Sequence, residues 1–148
     1  MVRELNIALV GCGNWGKNIA RNLHQMGYLA CIYDSKSNLS EELSYEYMLP
    51  TFELDKIFEN QNINAIVIAS PAITHKDFAI EALKNNKDVF IEKPFCLSLP
   101  DAQKLSELAS NKNRILMVGH LLNYHNAFIE MKELIKNGKI GVPQNIRA

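Results

Sequence analysis

No stretch of this chain is long and apolar enough to span a bilayer as a helix, so a helical membrane protein is not expected. Net charge is missing too. Lys and Arg total 16, Asp and Glu total 16, and no basic cluster stands out, which argues against a dedicated nucleic-acid surface. Cysteine is scarce: Cys12, Cys31 and Cys96 are odd in number and lack metal-ligand spacing, so no metal site is expected. Reduced thiols in a cytoplasmic protein are the simplest account of them. The chain shows no low-complexity segment, no long linker and no repeat beyond alternation of strands and helices. Met1 to Leu5 leads straight into an apolar run, leaving no room for a signal peptide. What is present is a core: 47% of the 148 residues are hydrophobic, enough for one domain that folds alone and too many for a disordered chain.

The chain is organised around Leu5 to Asp34. The apolar run Ile7 to Val10 breaks at Gly11-Cys12-Gly13-Asn14-Trp15-Gly16. Ile19, Leu23 and Met26 then recur at helical spacing, Gly27 supplies a stop, and a second apolar run from Leu29 to Tyr33 ends in Asp34. Strand, glycine turn, helix, strand and acid follow in the order a dinucleotide-binding unit requires. Gly11 permits the tight turn, Gly13 lets backbone approach a diphosphate, and Gly16 lets the helix pack close to the strand. The free N–H groups of the helix's first turn favour the phosphate charge. Asp34 stands about 20 residues beyond the turn, where a carboxylate accepts hydrogen bonds from ribose hydroxyls and repels a 2′-phosphate. The expected cofactor is therefore NAD, with NADP less favoured and Lys36 nearby leaving a dual preference open. Cys12 reads as a small residue within the turn, and Trp15 either shields the diphosphate or packs.

Beyond Asp34 the pattern keeps alternating. Ser37 to Met48 is expected as a helix, Leu49 to Phe52 as a short edge strand and Leu54 to Glu59 as a short helix. Ala65 to Ala69 is a continuous apolar run suited to a central parallel strand. Thr74 and Asp77 have capping-box spacing ahead of Phe78, Ala79, Ala82 and Leu83, and Ser98 and Asp101 repeat it ahead of Leu105 and Leu108. Asp88 to Ile91 and Ile115 to Val118 complete six strands; a helix through Phe128, Met131 and Leu134 closes at Gly138, and Val142 to Ala148 is expected to begin another strand. The fold class is α/β, a doubly wound Rossmann-type parallel sheet in three αβα layers with order 3-2-1-4-5-6.

That topology carries the turn Gly11–Gly16, Asp34, Ser70-Pro71, Glu92-Lys93-Pro94 and Gly119-His120 to strand carboxyl ends, on one rim of the sheet. Lys93 is the candidate catalytic residue: beside a nicotinamide it can hydrogen-bond the reacting oxygen and pass its proton. Glu92, pointing the opposite way, is expected on the cofactor; a solvated strand exit is the alternative for both. His75, in a helix first turn, is a candidate cofactor contact with a capping or surface role as its alternative. His120 is the preferred substrate contact, with Tyr124 beside it, against the alternative of a backbone-bonded structural histidine. His24 needs no function.

VGCGNWGKNIARNL, IASPAITHKDFAIEAL, VFIEKPFCLS and LMVGHLLNYHNAFIEMKELIKNGKIG together resemble the Gfo/Idh/MocA oxidoreductases in order and spacing over essentially the whole chain. GHLLNYH is most similar to the branch that oxidises nucleotide-linked sugars such as UDP-N-acetylglucosamine or its uronic acid at C3. The resemblance implies NAD bound by Gly11, Gly13, Gly16 and Asp34, with Glu92 at the nicotinamide half and Lys93 as the catalytic lysine; Asn14, Trp15, Ser70, Pro71 and His75 are further candidate cofactor contacts, and Lys93, His120 and Tyr124 candidate contacts to a carbohydrate or nucleotide-sugar. It further implies residues 1–120 as the dinucleotide-binding domain and 121–148 as a helix and strand leading toward a C-terminal substrate domain, absent here, that would carry any homo-oligomer interface. Asn123 departs from the arginine usual before Tyr124 in relatives of this type. The expected activity is hydride transfer between a sugar hydroxyl and nicotinamide, negligible in this chain alone. The competing expectations are a stand-alone dinucleotide-binding regulatory module or decayed gene product, and an NADP-dependent imine or biliverdin-type reductase, which Asp34 disfavours.

Overall fold

The computed structural model describes residues 5–145. Its elements are β1 (Ile7–Val10), α1 (Asn14–Gln25), β2 (Leu29–Tyr33), α2 (Ser37–Tyr47), α3 (Leu54–Glu59), β3 (Ala65–Ile68), α4 (Ala72–Lys84), β4 (Asp88–Ile91), α5 (Leu99–Lys112), β5 (Leu116–Val118), a 3₁₀ turn (Leu121–Tyr124) and α6 (Asn126–Lys136). Every strand pair is parallel, in the order β2-β1-β3-β4-β5. The pattern of six strands is preserved but for one. Leu49 to Phe52, expected as the outer strand, is reduced to a single bridge between Thr51 and Ile32. Pro50 has no N–H to give a ladder; its carbonyl accepts from Ile32 N at 3.3 Å and the contact stops there.

Strand alternation feeds two cores. On one face Ala8, Val10, Ile66, Ile68, Val89 and Ile91 pack with Ile57, Leu83 and Leu105 from α3, α4 and α5. On the other Ile7, Leu9, Ile32 and Val67 pack with Ala20 of α1 and Leu43 of α2. Both faces of the sheet are covered, which is why its strands read as unbroken apolar runs. At the sheet's lower edge Lys87 is buried, and its ammonium donates to the carbonyls of Asn60 (2.6 Å) and Ile63 (2.9 Å); burial lowers its pKa.

Of four other expectations, two are corrected and two hold. Thr74 and Asp77 form no capping box: α4 begins at Ala72, and the Thr74 hydroxyl is spent on the Pro71 carbonyl at 2.8 Å. Ser98 does cap α5, accepting from Asp101 N at 3.3 Å. Val142 to Asn145 forms no strand, because Pro143 lacks a donor and no described strand lies beside it; residues 146–148 lie outside the described residues. α6 closes at Gly138, in the left-handed region at φ +67, and buries none of its residues.

Cys12 and Cys31 are fully buried, and burial pushes both thiols up to about 12, helped at Cys12 by the Asp34 carboxylate. The folded chain therefore holds these protons through the range in which an unfolded thiol gives them up, near 9. Their contribution to stability is complete below pH 9 and lost as pH rises toward 12, by up to about 4 kcal/mol per thiol. Urea unfolding measured across that window is expected to show the drop, and Cys12→Ala with Cys31→Ala to flatten it; an unchanged drop would assign it to other groups.

Candidate functional site

The parallel register sets the site. Tyr33, Val10, Ile68, Ile91 and Val118 form one row across the sheet, and the next residue in each strand, Asp34, Gly11, Ala69, Glu92 and Gly119, starts the rim. Backbone bonds of 2.8–2.9 Å extend the ladder through Gly11, Ala69, Glu92 and Gly119, so rim residues far apart in sequence are fixed relative to one another.

The glycine turn is built as its spacing demands. At Gly11, φ is +103, and a Cβ would lie 2.5 Å from the backbone of Ala69 and Ser70. A Cβ at Gly16 would lie 2.0 Å from the Gly11 carbonyl oxygen, so α1 packs directly on the turn. A Cβ at Gly13 would meet nothing within 4 Å, because the space in front of it is open. Helix α1 has no side-chain N-cap and no acid in its first turn, unlike α5 with Ser98. Its first amides, on exposed Asn14 and Trp15 and on buried Gly16, are left for an anion. The open space and the uncapped amides fit a dinucleotide diphosphate.

Asp34 faces the same cleft, of about 300 Å³, with Gly11, Gly13, Lys36, Ser70 and Pro71. Its carboxylate is pre-oriented: Oδ2 accepts from Cys12 N at 2.6 Å and Oδ1 from Lys36 N at 2.8 Å. An ionised carboxylate has lone pairs to spare beyond these two bonds, and they are available to ribose hydroxyls. Leu39, Ile73, Thr74 and Phe78 also wall this cleft and were not among the site residues expected from the sequence. The available signal was Ile73, an apolar residue 74% exposed in the first turn of α4, where the helical pattern gives it no core partner.

Across the rim Glu92 is only 7% exposed. Its Oε1 accepts from the Trp15 indole N–H at 2.6 Å and its Oε2 from Lys93 N at 3.2 Å. A Cβ at Gly119 would lie 2.8 Å from Oε1, so that glycine makes room for the carboxylate. Trp15, 45% exposed, thus links the first turn of α1 to the β4 exit rather than packing in a core. Lys93 is exposed, and its peptide bond to Pro94 is cis. It shares a cleft of about 440 Å³ with Gly119, His120, Asn123 and Phe128. Tyr124 is 66% exposed and does not line that cleft; Asn123 does.

His75 stands apart from the expected cofactor contact. It is 1% exposed, with Nδ1 2.8 Å from the Pro94 carbonyl and Nε2 2.8 Å from the Ser70 carbonyl. Its ring is taken up by the framework beneath the rim. His24, on α1, stacks on Tyr47 with centroids 4.6 Å apart. Among the described residues, no His, Cys, Asp and Glu cluster of three is placed to hold a metal ion, and no helix is long and apolar enough to cross a membrane.

A parallel doubly wound sheet with an uncapped glycine-turn helix and a held acid at the end of β2 defines a dinucleotide-binding domain. The chain belongs to the GFO_IDH_MocA oxidoreductase family, whose NAD-binding Rossmann-fold model matches residues 5–120. It is 33% identical over 141 residues to a 2,7-anhydro-N-acetylneuraminate hydratase of Escherichia coli, covering 93% of this chain and 37% of that protein. It is 30% identical over 148 residues to the scyllo-inositol 2-dehydrogenase (NAD(+)) of Bacillus subtilis, covering 97% and 43%. Among solved structures, the UDP-N-acetylglucosamine 3-dehydrogenase of Acidithiobacillus ferrooxidans superposes with a TM-score of 0.81 at 25% identity, covering 87% of this chain and 42% of that one. The chain thus spans about two fifths of the length of these relatives.

Proposed function

We propose that this NAD-binding domain serves a dehydrogenase that moves a hydride between a carbohydrate hydroxyl and nicotinamide, with Lys93 as its proton-transfer group. The observation that carries the reading is the shared rim: the Asp34–Gly13 cleft and the Lys93–His120 cleft lie at the ends of adjacent parallel strands. Bound nicotinamide supplies the hydride acceptor or donor. The chain's own residues supply the rest. First-turn amides of α1 hold the diphosphate, Asp34 orients the adenosine ribose, and Ser70 and Pro71 wall the groove. Glu92, held by Trp15, and His120 border the reacting end. The Lys93 amine accepts the hydroxyl proton as the alcohol is oxidised, and its ammonium returns one to the carbonyl oxygen in the reverse direction.

Three finer points belong to the same reading. A nucleotide-linked sugar as substrate is supported by the GHLLNYH segment and by the structural likeness to a nucleotide-sugar dehydrogenase, and Asn123 in the Lys93 cleft offers it a neutral contact. The unpaired cysteines support a reducing cytoplasmic setting. Residues 121–148 are read as a connection to further chain that builds the substrate floor and any homo-oligomer interface; an α6 without buried residues supports this.

The test is Asp34→Ala. Loss of charge-assisted bonds to the ribose is expected to weaken NAD by about tenfold or more. Removal of the carboxylate's repulsion is expected to raise NADP affinity relative to NAD. Calorimetric titration with both cofactors reads the two effects, and an unchanged NAD-to-NADP ratio would remove Asp34 from the ribose site.

A further inference from the structure

Lys93 is flanked by two anchored neighbours. On one side Glu92 is held by the Trp15 indole. On the other the Pro94 carbonyl meets Nδ1 of His75 at 2.8 Å. The opposite ring nitrogen meets the Ser70 carbonyl at 2.8 Å, so one imidazole spans the exits of β3 and β4. The β3 exit is itself stiffened: the Ser70 and Thr74 hydroxyls lie 2.7 Å apart, and Thr74 donates to the Pro71 carbonyl at 2.8 Å. Among the described residues, no other side-chain hydrogen bond joins residues 69–71 to residues 93–96. Ser70 and Pro71 wall the Asp34 cleft, whereas Lys93 lies in the other.

We infer that His75 is a positioning residue that couples the adenosine side of the groove to Lys93. A ligand seated against Ser70 and Pro71 fixes the β3 exit, and the buried imidazole carries that constraint to the peptide bearing Lys93. Two discrete carbonyl partners, a ring with 1% exposure and close packing on every side make the link stiff. The inference rests on the reading of the groove and of Lys93 given above.

The test uses ADP-ribose, which carries the adenosine, the diphosphate and the second ribose of NAD but not the nicotinamide ring, so a change at Lys93 cannot come from that ring, and the His75 variants separate transmission through the imidazole from contact by the ribose. In the ¹⁵N-labelled chain, saturating ADP-ribose is expected to shift the Lys93 and Phe95 amide resonances. In His75→Phe, which keeps a ring and removes both ring nitrogens, ADP-ribose is expected to bind with undiminished affinity while the Lys93 shift is lost. His75→Gln, which keeps amide donors, is expected to restore it. Binding with the Lys93 shift intact in His75→Phe would overturn the inference. So would ADP-ribose binding to the unsubstituted chain without any Lys93 shift. Where His75→Phe does not fold, the His75 ring resonances of the unsubstituted chain decide: they move on ADP-ribose binding if the ring transmits the constraint, and unmoved resonances overturn it. A chain that binds no ADP-ribose at all would overturn the cofactor groove itself, a separate failure.

Discussion

Gly13→Val is expected to abolish NAD binding while leaving the folded chain intact. Gly13 has extended backbone, φ −64 and ψ −174, which any residue adopts. A Cβ there meets no atom within 4 Å, so the fold has nothing to lose. The branched side chain instead fills the open space before the uncapped amides of α1, the place proposed for the diphosphate. The neighbouring glycines behave oppositely. Alanine at Gly16 would drive Cβ to 2.0 Å from the Gly11 carbonyl, and at Gly11 to 2.5 Å from the Ala69 and Ser70 backbone. Those collisions are with main chain, which cannot swing aside, and each is expected to cost about 3 kcal/mol or more of stability. Thermal unfolding beside calorimetric titration separates the two classes. A Gly13→Val chain that binds NAD as tightly as the unsubstituted one would put the diphosphate elsewhere.

Lys93→Met is expected to lower turnover by about 10²- to 10⁴-fold in a catalytically competent protein, with NAD affinity nearly unchanged. Methionine keeps the length of the side chain and removes its proton. Lys93 is exposed, and its ammonium forms no hydrogen bond or ion pair with the described residues, so the structural cost is small. Steady-state kinetics with a carbohydrate substrate and a parallel cofactor titration distinguish the roles. Weaker NAD binding with turnover of the bound form unchanged would make Lys93 a cofactor contact and leave the proton without a carrier.

The first βαβ unit was legible because all its signals are local. Gly11, Gly13 and Gly16 sit within six residues, and Asp34 ends the next strand. The parallel order followed from apolar runs covered on both faces, and the common rim followed from that order. Other features depend on partners far along the chain. Glu92 is tied to Trp15 across 77 residues, and His75 to Pro94 across 19. Backbone carbonyls carry no sequence signature, so the ring of His75 could not be told from a cofactor contact by pattern alone. Thr74 and Asp77 have capping spacing, but Pro71 starts the helix earlier and its carbonyl takes the Thr74 hydroxyl. Leu49 to Phe52 is apolar enough for a strand, yet Pro50 denies it a ladder. Tyr124 follows His120 by one helical turn in sequence, but the 3₁₀ turn leaves it outside the cleft that Lys93 and His120 share.

The most direct measurement is calorimetric titration of the chain with NAD and, in parallel, with NADP. With the diphosphate on the α1 amides and the ribose on Asp34, NAD binds at one site per chain and more tightly than NADP. Absence of any saturable NAD binding, or tighter binding of NADP, would contradict the account.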